Sequence, residues 1–239
     1  MLQACLNGRR GRDDHAAVPL TPDELAADAR RAVAAGAAEL HVHPRLPGGG
    51  RDTVEPGPVA ATVRAIRAAC PGVSLGLTTG LWTTGGDAER RHACVAAWEE
   101  LPDYVSVNLF EPGSAELCAL LERRGVGIEA GLWTLDDARL LLERCLAPLR
   151  VLVETSDGGA EDPVAAAAEI DELLVEGGLD APQLHHGAGA DAWAVLDAAL
   201  ARGRDVRIGL EDTTLMPDGS VARDNAELVA EAARRLSSS

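Results

Sequence analysis

His41 and His43, separated only by Val42, form the pattern in this sequence that most directly indicates chemistry. They end a short β-prone segment, and side chains two positions apart on a strand point to the same side. Two imidazoles on one side of a strand end supply half of the ligands that a metal site needs. The spacing therefore predicts a metal centre, with two structural histidines at the rim of a sheet as the alternative.

A second chemical pattern, RIGLED at residues 207–212, closes the last β-prone segment. On one continuous strand, Arg207 and Glu211 would share a side and Asp212 would begin the turn. Two histidines and a glutamate with one open position form a catalytic zinc set. We therefore expect His41, His43 and Glu211 to bind a divalent metal, with zinc as the preferred ion. The alternative is an ion pair between the arginine and its carboxylates that only closes the fold.

These side chains must be positioned by a fold in which short β-prone runs alternate with longer amphipathic helical runs. We predict strands at Leu2–Asn7, Glu39–Pro44, Val73–Gly80, Tyr104–Leu109, Gly127–Leu132, Arg150–Thr155, Pro182–Gly187 and Asp205–Asp212. We predict helices at Thr21–Ala37, Pro56–Cys70, Asp87–Leu101, Ser114–Arg124, Leu135–Leu146, Pro163–Glu176, Ala190–Arg202 and Asn225–Leu236.

Strict alternation of strands and helices predicts a parallel sheet with crossover helices, and eight repeats fit closure into a (β/α)8 TIM barrel. A doubly wound open sheet is the competing architecture. We predict one domain over residues 1–236 and a frayed tail at residues 237–239. In the barrel, strands two and eight flank strand one, which allows Glu211 to reach His41 and His43.

Composition and charge exclude several classes of function. The chain has 239 residues, of which 46% are hydrophobic, and its net charge of −16 argues against nucleic acid and anionic membranes as partners. It contains no lysine, which excludes a Schiff-base aldolase and a P-loop NTPase. Five scattered cysteines, an N-terminus unlike a signal peptide and the lack of a long apolar run lead us to expect a cytoplasmic protein with reduced thiols.

Motifs along nearly the whole chain resemble the β-keto acid cleavage enzyme family, whose type members are the 3-keto-5-aminohexanoate cleavage enzymes. The most specific are His-x-His-x-Arg at residues 41–45 and Arg-x-Gly-Leu-Glu-Asp at residues 207–212. The other matching segments are Asn7-Gly8, Pro19-Leu20-Thr21-Pro22-Asp23-Glu24, Ala35-Gly36-Ala37 and Thr78-Thr79-Gly80.

This resemblance implies a zinc-dependent, retro-Claisen-type exchange in which a β-keto acid and acetyl-CoA give acetoacetate and a new acyl-CoA. It implies that His41, His43 and Glu211 hold the metal. Asp212 would be the general base, oriented by Arg207. The residues expected to position the substrate are Thr78, Thr79, Ser106, Arg45, Asn7 and Arg9. The resemblance also suggests a homo-oligomer, in particular a tetramer.

The end of the first predicted strand suggests which β-keto acid is used. Arg9 and Arg10 follow Asn7-Gly8, and no carboxylate occurs until Asp13. Two arginines at a barrel mouth favour a second anionic group on the substrate. The alternatives are contact with CoA phosphates or a pair of solvated side chains.

Other polar residues stay unassigned at this level. Adjacent residues on a strand face opposite sides, so only one of His185 and His186 can face the mouth. Glu129 and Glu154 lie within strands, where each either pairs with an arginine such as Arg45 or shapes the pocket. Two other functions remain open, namely a metal-dependent TIM-barrel hydrolase and a non-catalytic barrel that binds a metal or a metabolite.

Overall fold

The computed structural model describes residues 1–144, 146–155 and 159–238, in which eight parallel strands form a closed barrel. The strands are β1 (Leu2–Cys5), β2 (Glu39–Val42), β3 (Ser74–Thr78), β4 (Tyr104–Asn108), β5 (Gly127–Leu132), β6 (Arg150–Val153), β7 (Gln183–His185) and β8 (Asp205–Ile208). Each strand pairs with its sequence neighbours, and β1 pairs with β8 to close the ring. The predicted (β/α)8 barrel is confirmed, and the open-sheet alternative is wrong.

A helix follows every strand. The helices are α1 (Pro22–Ala34), α2 (Pro56–Ala69), α3 (Ala88–Ala96), α4 (Ser114–Arg123), α5 (Leu135–Arg144), α6 (Pro163–Glu176), α7 (Ala192–Ala201) and α8 (Asn225–Leu236). The start of α1 follows from local sequence, since Thr21 and Glu24 cap it reciprocally and Pro22 occupies its first turn. Most predicted bounds agree within three residues.

Two elements end more than three residues before their predicted bounds. Helix α3 ends at Ala96 rather than Leu101, because Trp98 is buried and its Nε1 donates to the carbonyl of Val54. Strand β8 ends at Ile208 rather than Asp212, and the backbone then turns through hydrogen bonds from Asp212 and Thr213 to the carbonyl of Gly209. The last residues of the RIGLED run therefore lie in a turn.

The apolar core lies between the barrel and its helices. Alternate strand residues such as Leu40, Val42, Leu75 and Leu77 are fully buried in this layer. The other residues of each strand face the lumen, where many are polar or charged. The strands therefore carry a helix-facing apolar side and a polar side that is available for a site.

A layer of hydrogen-bonded side chains fills the lumen near the base. Gln3 Nε2 donates to Tyr104 Oη and to Glu129 Oε1, both at 2.9 Å. Arg150 lies 2.7 Å from Glu129 Oε1 and also pairs with Glu39. Burial raises the pKa of Glu129, and the arginine opposes this rise. Glu129 thus pairs with an arginine, which was one of the two predicted alternatives, but this arginine is Arg150 rather than Arg45.

The structure also bears on the predictions made for the cysteines, the C-terminal tail and membrane-spanning helices. Cys5, Cys70, Cys94 and Cys118 are free thiols, whereas Cys145 lies outside the described residues. In the predicted tail, the hydroxyls of residues 237 and 238 donate to carbonyls in the last turn of α8, and residue 239 is not described. Within the described ranges, no helix has the length and apolar character to cross a bilayer.

Gly76 provides a test of how tightly the lumen is packed. A Cβ at this position of β3 would lie 2.1 Å from Cε2 of Tyr104. Gly76→Ala should therefore lower the free energy of unfolding by about 1–3 kcal/mol, since overpacking displaces a hydrogen-bonded ring. Urea denaturation measures this change. Gly57→Ala in α2 is the control, because nothing lies within 4 Å of its added Cβ and no loss is expected. Equal midpoints for the two variants would contradict the packing described here.

Candidate metal centre and pocket

His41, His43 and Glu211 converge at the C-terminal mouth of the barrel. His41 belongs to β2, His43 follows its end, and Glu211 lies in the turn after β8. Glu211 Oε1 is 3.3 Å from His43 Nε2 and 3.9 Å from His41 Nε2. Within the described part of the chain, these three form the one group of potential metal ligands, with ligand atoms within 4.8 Å of one another.

Asp52 fixes the orientation of the His43 ring. Its Oδ2 lies 3.0 Å from His43 Nδ1 and also accepts a 2.7 Å hydrogen bond from Trp82 Nε1. A carboxylate on one ring nitrogen leaves the other nitrogen free to bind a metal, as is common for metal-binding histidines. The contacts of Asp52 with His43 and Trp82 were not predicted, because the loops that carry these residues show no periodicity that ties them to one another.

Arg207 positions the carboxylate ligand. Its Nη2 lies 2.6 Å from Glu211 Oε1 and 2.9 Å from Asp212 Oδ1, and the guanidinium is 3% exposed. The turn brings Glu211 over this guanidinium, whereas the prediction placed both residues on one side of a longer strand. Gly209 is required at the turn, since a Cβ there would lie 1.9 Å from the carbonyl oxygen of Cys5.

The electrostatics of the three residues suit a divalent cation. Burial lowers the pKa of His41 to about 3, which keeps the imidazole neutral. Burial opposes a charge on His43, but Glu211 and Asp52 outweigh it and raise the His43 pKa. Arg207, followed by the two histidines, outweighs burial and holds the pKa of Glu211 well below its usual value.

Unpaired buried atoms, as well as the types of the three residues, indicate that this site fits a metal ion. His43 Nε2 and Glu211 Oε2 are buried and lack a hydrogen-bond partner among the described residues. Unpaired buried polar atoms are costly, and a bound cation would satisfy both. Two imidazoles and one carboxylate, with a position left for a substrate, are a ligand set of catalytic zinc sites.

A pocket of about 600 Å³ opens beside this cluster. Its lining comprises Arg9, Arg10, Asp14, His41, His43, Thr78, Trp82, Ser106, Asn108, Trp133, Leu152, Glu154, Arg207 and Glu211. Thr78 and Ser106 are register partners on adjacent strands β3 and β4, so their hydroxyl groups lie on one wall. The structure thus brings the three candidate metal ligands into one cavity with Thr78, Ser106 and Arg9, which were predicted to bind the substrate.

Three predicted substrate-binding residues lie outside that lining. The side-chain amide of Asn7 exchanges two 2.9 Å hydrogen bonds with the backbone of His43. Arg45 donates to the carbonyls of Gly8 and Arg10. Thr79 Oγ1 donates to the carbonyl of Ser106 at 2.6 Å. In this structure, the three side chains form hydrogen bonds with the backbone of the barrel mouth and thereby stabilise it.

Arg9 and Arg10 have different environments. Arg10 donates from Nε and Nη2 to the carbonyls of Glu211 and Asp212, so it braces the turn. Arg9 is exposed, and its guanidinium lies 5.4 Å from the centroid of the Trp82 ring. Arg9 has no hydrogen bond or ion pair to the described residues, which leaves its guanidinium available to a ligand in the pocket.

The two adjacent histidines, His185 and His186, lie on different sides of the barrel wall, and Asp212 lies on the same side as His186. Asp212 accepts from Arg207 and from Cys5 Sγ, and His186 Nδ1 lies 3.3 Å from its Oδ1. Arg207 and His186 lower the Asp212 pKa to about 2 despite burial. His186 also contacts Glu154, whereas His185 faces the outer helices α6 and α7. Only His186 is therefore directed toward the pocket.

Comparison with known families identifies one model that matches almost the whole chain. The model described as beta-keto acid cleavage enzyme matches residues 1–238. Among curated proteins, none shows significant sequence similarity to this chain.

Comparison with solved structures finds similar folds at low sequence identity. ObcA in a binary complex with oxaloacetate is 18% identical, with a TM-score of 0.74 over 92% of this chain and 64% of ObcA. A ternary complex of ObcA with a C4-CoA adduct and oxalate is 19% identical, with the same score and coverage. Thiamine phosphate pyrophosphorylase from Pyrococcus furiosus is 14% identical, with a TM-score of 0.59 over 99% of this chain and 95% of that chain. The chain thus spans less than two thirds of the length of ObcA.

Asp52 should control how tightly the cluster binds zinc. Asp52→Asn should weaken zinc binding about 10- to 100-fold, because it weakens the partner that orients His43. Competition with a chromogenic chelator measures the affinity, and elemental analysis measures the bound metal. The exposed Asp136→Asn variant is the charge-matched control. A His41→Ala/His43→Ala double variant should bind no zinc, and retention of stoichiometric zinc by it would refute the site.

Proposed function

The chain belongs to the β-keto acid cleavage enzyme family, and from this premise we propose that it exchanges an acyl group between a β-keto acid and acetyl-CoA. The family assignment confirms the resemblance drawn from the sequence motifs. In the proposed reaction, R–CO–CH2–COO⁻ and acetyl-CoA give acetoacetate and R–CO–CoA. The observation that carries the proposal is the convergence of His41, His43 and Glu211 in a pocket lined by hydroxyl groups and arginine.

We assign the metal as zinc, held by these three residues. When bound, zinc would act as a Lewis acid that polarises the keto group of the substrate. Thr78 and Ser106 are placed to hydrogen-bond substrate oxygens, since both line the same wall of the pocket. Arg207 keeps Glu211 in place, since its Nη2 lies 2.6 Å from Glu211 Oε1.

Asp212 is the general base that the family resemblance implies, and this role stays a prediction. Both of its oxygens are engaged, by Arg207 on each and by Cys5 Sγ on Oδ2. Burial raises the pKa of the Cys5 thiol well above its usual value, so Cys5 acts as a donor to the carboxylate. Asp212 can therefore accept a substrate proton only after one of these contacts is released.

We propose further that the substrate carries a second negative group, which Arg9 binds. Arg9 lies at the pocket mouth without an ion-pair partner among the described residues, and the ring of Trp82 beneath it stacks on His43 with centroids 6.3 Å apart. The wall formed by these residues leads from the metal ligands to the guanidinium. Oxaloacetate, which ObcA binds, is itself a β-keto acid with two carboxylates. Its recognition by a structural relative supports this substrate class.

Substrate profiling tests the activity and its dependence on CoA. Purified zinc-loaded protein should convert 3-oxoadipate and acetyl-CoA to acetoacetate and an acyl-CoA, with no reaction when acetyl-CoA is omitted. Turnover without CoA would instead indicate the metal-dependent hydrolase. Zinc binding without turnover of any β-keto acid would indicate a non-catalytic barrel.

Arg9→Gln tests the substrate class. The variant should raise the KM for 3-oxoadipate about tenfold, because it removes one charge-assisted contact, and should leave the KM for 3-oxohexanoate unchanged. Arg12→Gln is the matched control, since Arg12 is exposed and pairs with Glu24. A higher KM for acetyl-CoA with both β-keto acids would place Arg9 on CoA phosphate and contradict the assignment.

A further inference from the structure

The two sides of the pocket differ in charge. In the closed ring of eight strands, β5 and β6 lie opposite β1 and β2. Among the described residues, the arginines of the lining follow β1 or belong to β8, on the side of the metal cluster. The opposite side is lined by Trp133, Leu152 and Glu154, which offer one carboxylate and no cation. An anionic group is therefore attracted to the first side, whereas the second side favours an uncharged group.

Trp133 carries a buried hydrogen-bond donor without an acceptor in the described part of the chain. This donor is the indole Nε1, whereas the other three tryptophans each donate to a protein acceptor. Asp137 holds the residue in place, since its Oδ2 accepts from the backbone N–H of Trp133 at 3.0 Å and of Thr134 at 2.9 Å. A buried indole N–H ordinarily finds a partner, because an unpaired one is costly. The donor is therefore placed for an acceptor on a ligand in the pocket.

Trp133 also belongs to an apolar strip that leads out of the lumen. Leu152 of β6 is buried and lines the pocket, as Trp133 does after the neighbouring strand β5. The ring of Phe110, which follows β4, packs edge-on against the Trp133 ring with centroids 4.9 Å apart. Phe110 is itself 46% exposed. Leu152, Trp133 and Phe110, which we call the apolar strip, thus extend from the strands of the barrel to its solvent-exposed rim.

The two substrates of the proposed reaction need different surroundings. The β-keto acid is anionic, and the metal cluster and Arg9 suit its charged groups. Acetyl-CoA must bring its thioester to the same cluster, and the pantetheine arm behind the thioester is an uncharged chain of methylene and amide groups. An apolar surface with one hydrogen-bond donor complements such a chain, because its methylene groups leave water and an amide carbonyl gains a partner. The apolar strip offers this combination opposite the arginines.

We propose that the apolar strip binds the pantetheine arm of acetyl-CoA, and that Trp133 Nε1 donates a hydrogen bond to the carbonyl of the amide nearest the thioester. This assignment rests on the proposed function. Trp133 and Phe110 are then the residues that determine affinity for the thioester substrate, whereas Arg9 determines affinity for the β-keto acid. The buried N–H contacts the part of the arm that enters the lumen, and the exposed Phe110 ring contacts the part that lies at the rim.

Steady-state kinetics with two thioesters test the assignment on the zinc-loaded protein with 3-oxoadipate. Trp133→Phe keeps an aromatic ring but removes the N–H, and it should raise the KM for acetyl-CoA about tenfold while the KM for 3-oxoadipate stays constant. Phe110→Ala should raise the KM for acetyl-CoA about three- to tenfold. S-acetyl-N-acetylcysteamine retains only the thioester and the nearest amide. With this short thioester, kcat/KM should fall about tenfold in Trp133→Phe and stay unchanged in Phe110→Ala.

Two variants outside the pocket are matched controls. Trp193→Phe removes the indole N–H that donates to the carbonyl of Leu215, and Leu149→Ala removes an exposed apolar side chain before β6, at the opposite end of the barrel. Both should keep the wild-type KM values for the two substrates. Zinc content and the thermal midpoint are measured for every variant, because a purely structural role of Trp133 would lower these and would change the KM for both substrates.

The outcomes distinguish this assignment from the function on which it rests. A higher KM for acetyl-CoA alone in Trp133→Phe and Phe110→Ala, with zinc and the thermal midpoint retained, supports the apolar strip as the pantetheine site. An unchanged KM for acetyl-CoA in both variants, or a higher KM for 3-oxoadipate instead, overturns the assignment and leaves the proposed function intact. A wild-type protein that turns over no β-keto acid with acetyl-CoA refutes the proposed function, and the assignment falls with it.

Discussion

The buried guanidinium of Arg207 is the charge on which the upper half of the barrel depends. A buried cation is stable only when it is paired and hydrogen-bonded, and Arg207 contacts both carboxylates of the turn after β8. One of them, Glu211, is thereby directed toward the histidines of β2, and the other, Asp212, toward His186. Arg207 thus orients both Glu211, the candidate metal ligand, and Asp212. Because the overall chain is strongly negative, attraction of an anionic substrate depends on a local cation at the mouth such as Arg9.

The polar interior of the barrel accommodates the buried ion pairs of Arg207. Many TIM barrels fill the interior with branched apolar side chains, whereas here Arg150 and Glu129 form a charged layer below the site. The apolar residues that drive folding lie on the opposite side of each strand, against the helices. The apolar residues that stabilise the fold and the polar residues that form the candidate site therefore lie on opposite sides of the same strands. Gly76 and Gly131 complete the arrangement, because each leaves space for a larger polar side chain from the next strand.

Sequence periodicity predicted the barrel because each strand and helix repeats a local pattern. His41 and His43 were found for the same reason, since their spacing is fixed by the strand on which they lie. The contacts of Asp52 with His43 join segments whose relation depends on loop conformation, and no local pattern records it. The bend at Gly209 was likewise missed, because it is set by the close approach of the Cys5 carbonyl from another strand. The residues predicted to bind the metal nevertheless meet, since they lie at the mouth ends of β2 and β8, the two strands that flank β1.

The position of Asp212 shows how several neighbours can hold one buried charge. Arg207 and His186 outweigh burial and lower the Asp212 pKa to about 2. His186 lies between Asp212 and Glu154, and these two carboxylates outweigh burial and raise the His186 pKa to about 10. Positive and negative groups therefore alternate from Arg207 through Asp212 and His186 to Glu154 at the pocket. Each buried charge thus has a partner of opposite sign, which is the condition under which ionised groups are tolerated inside a protein.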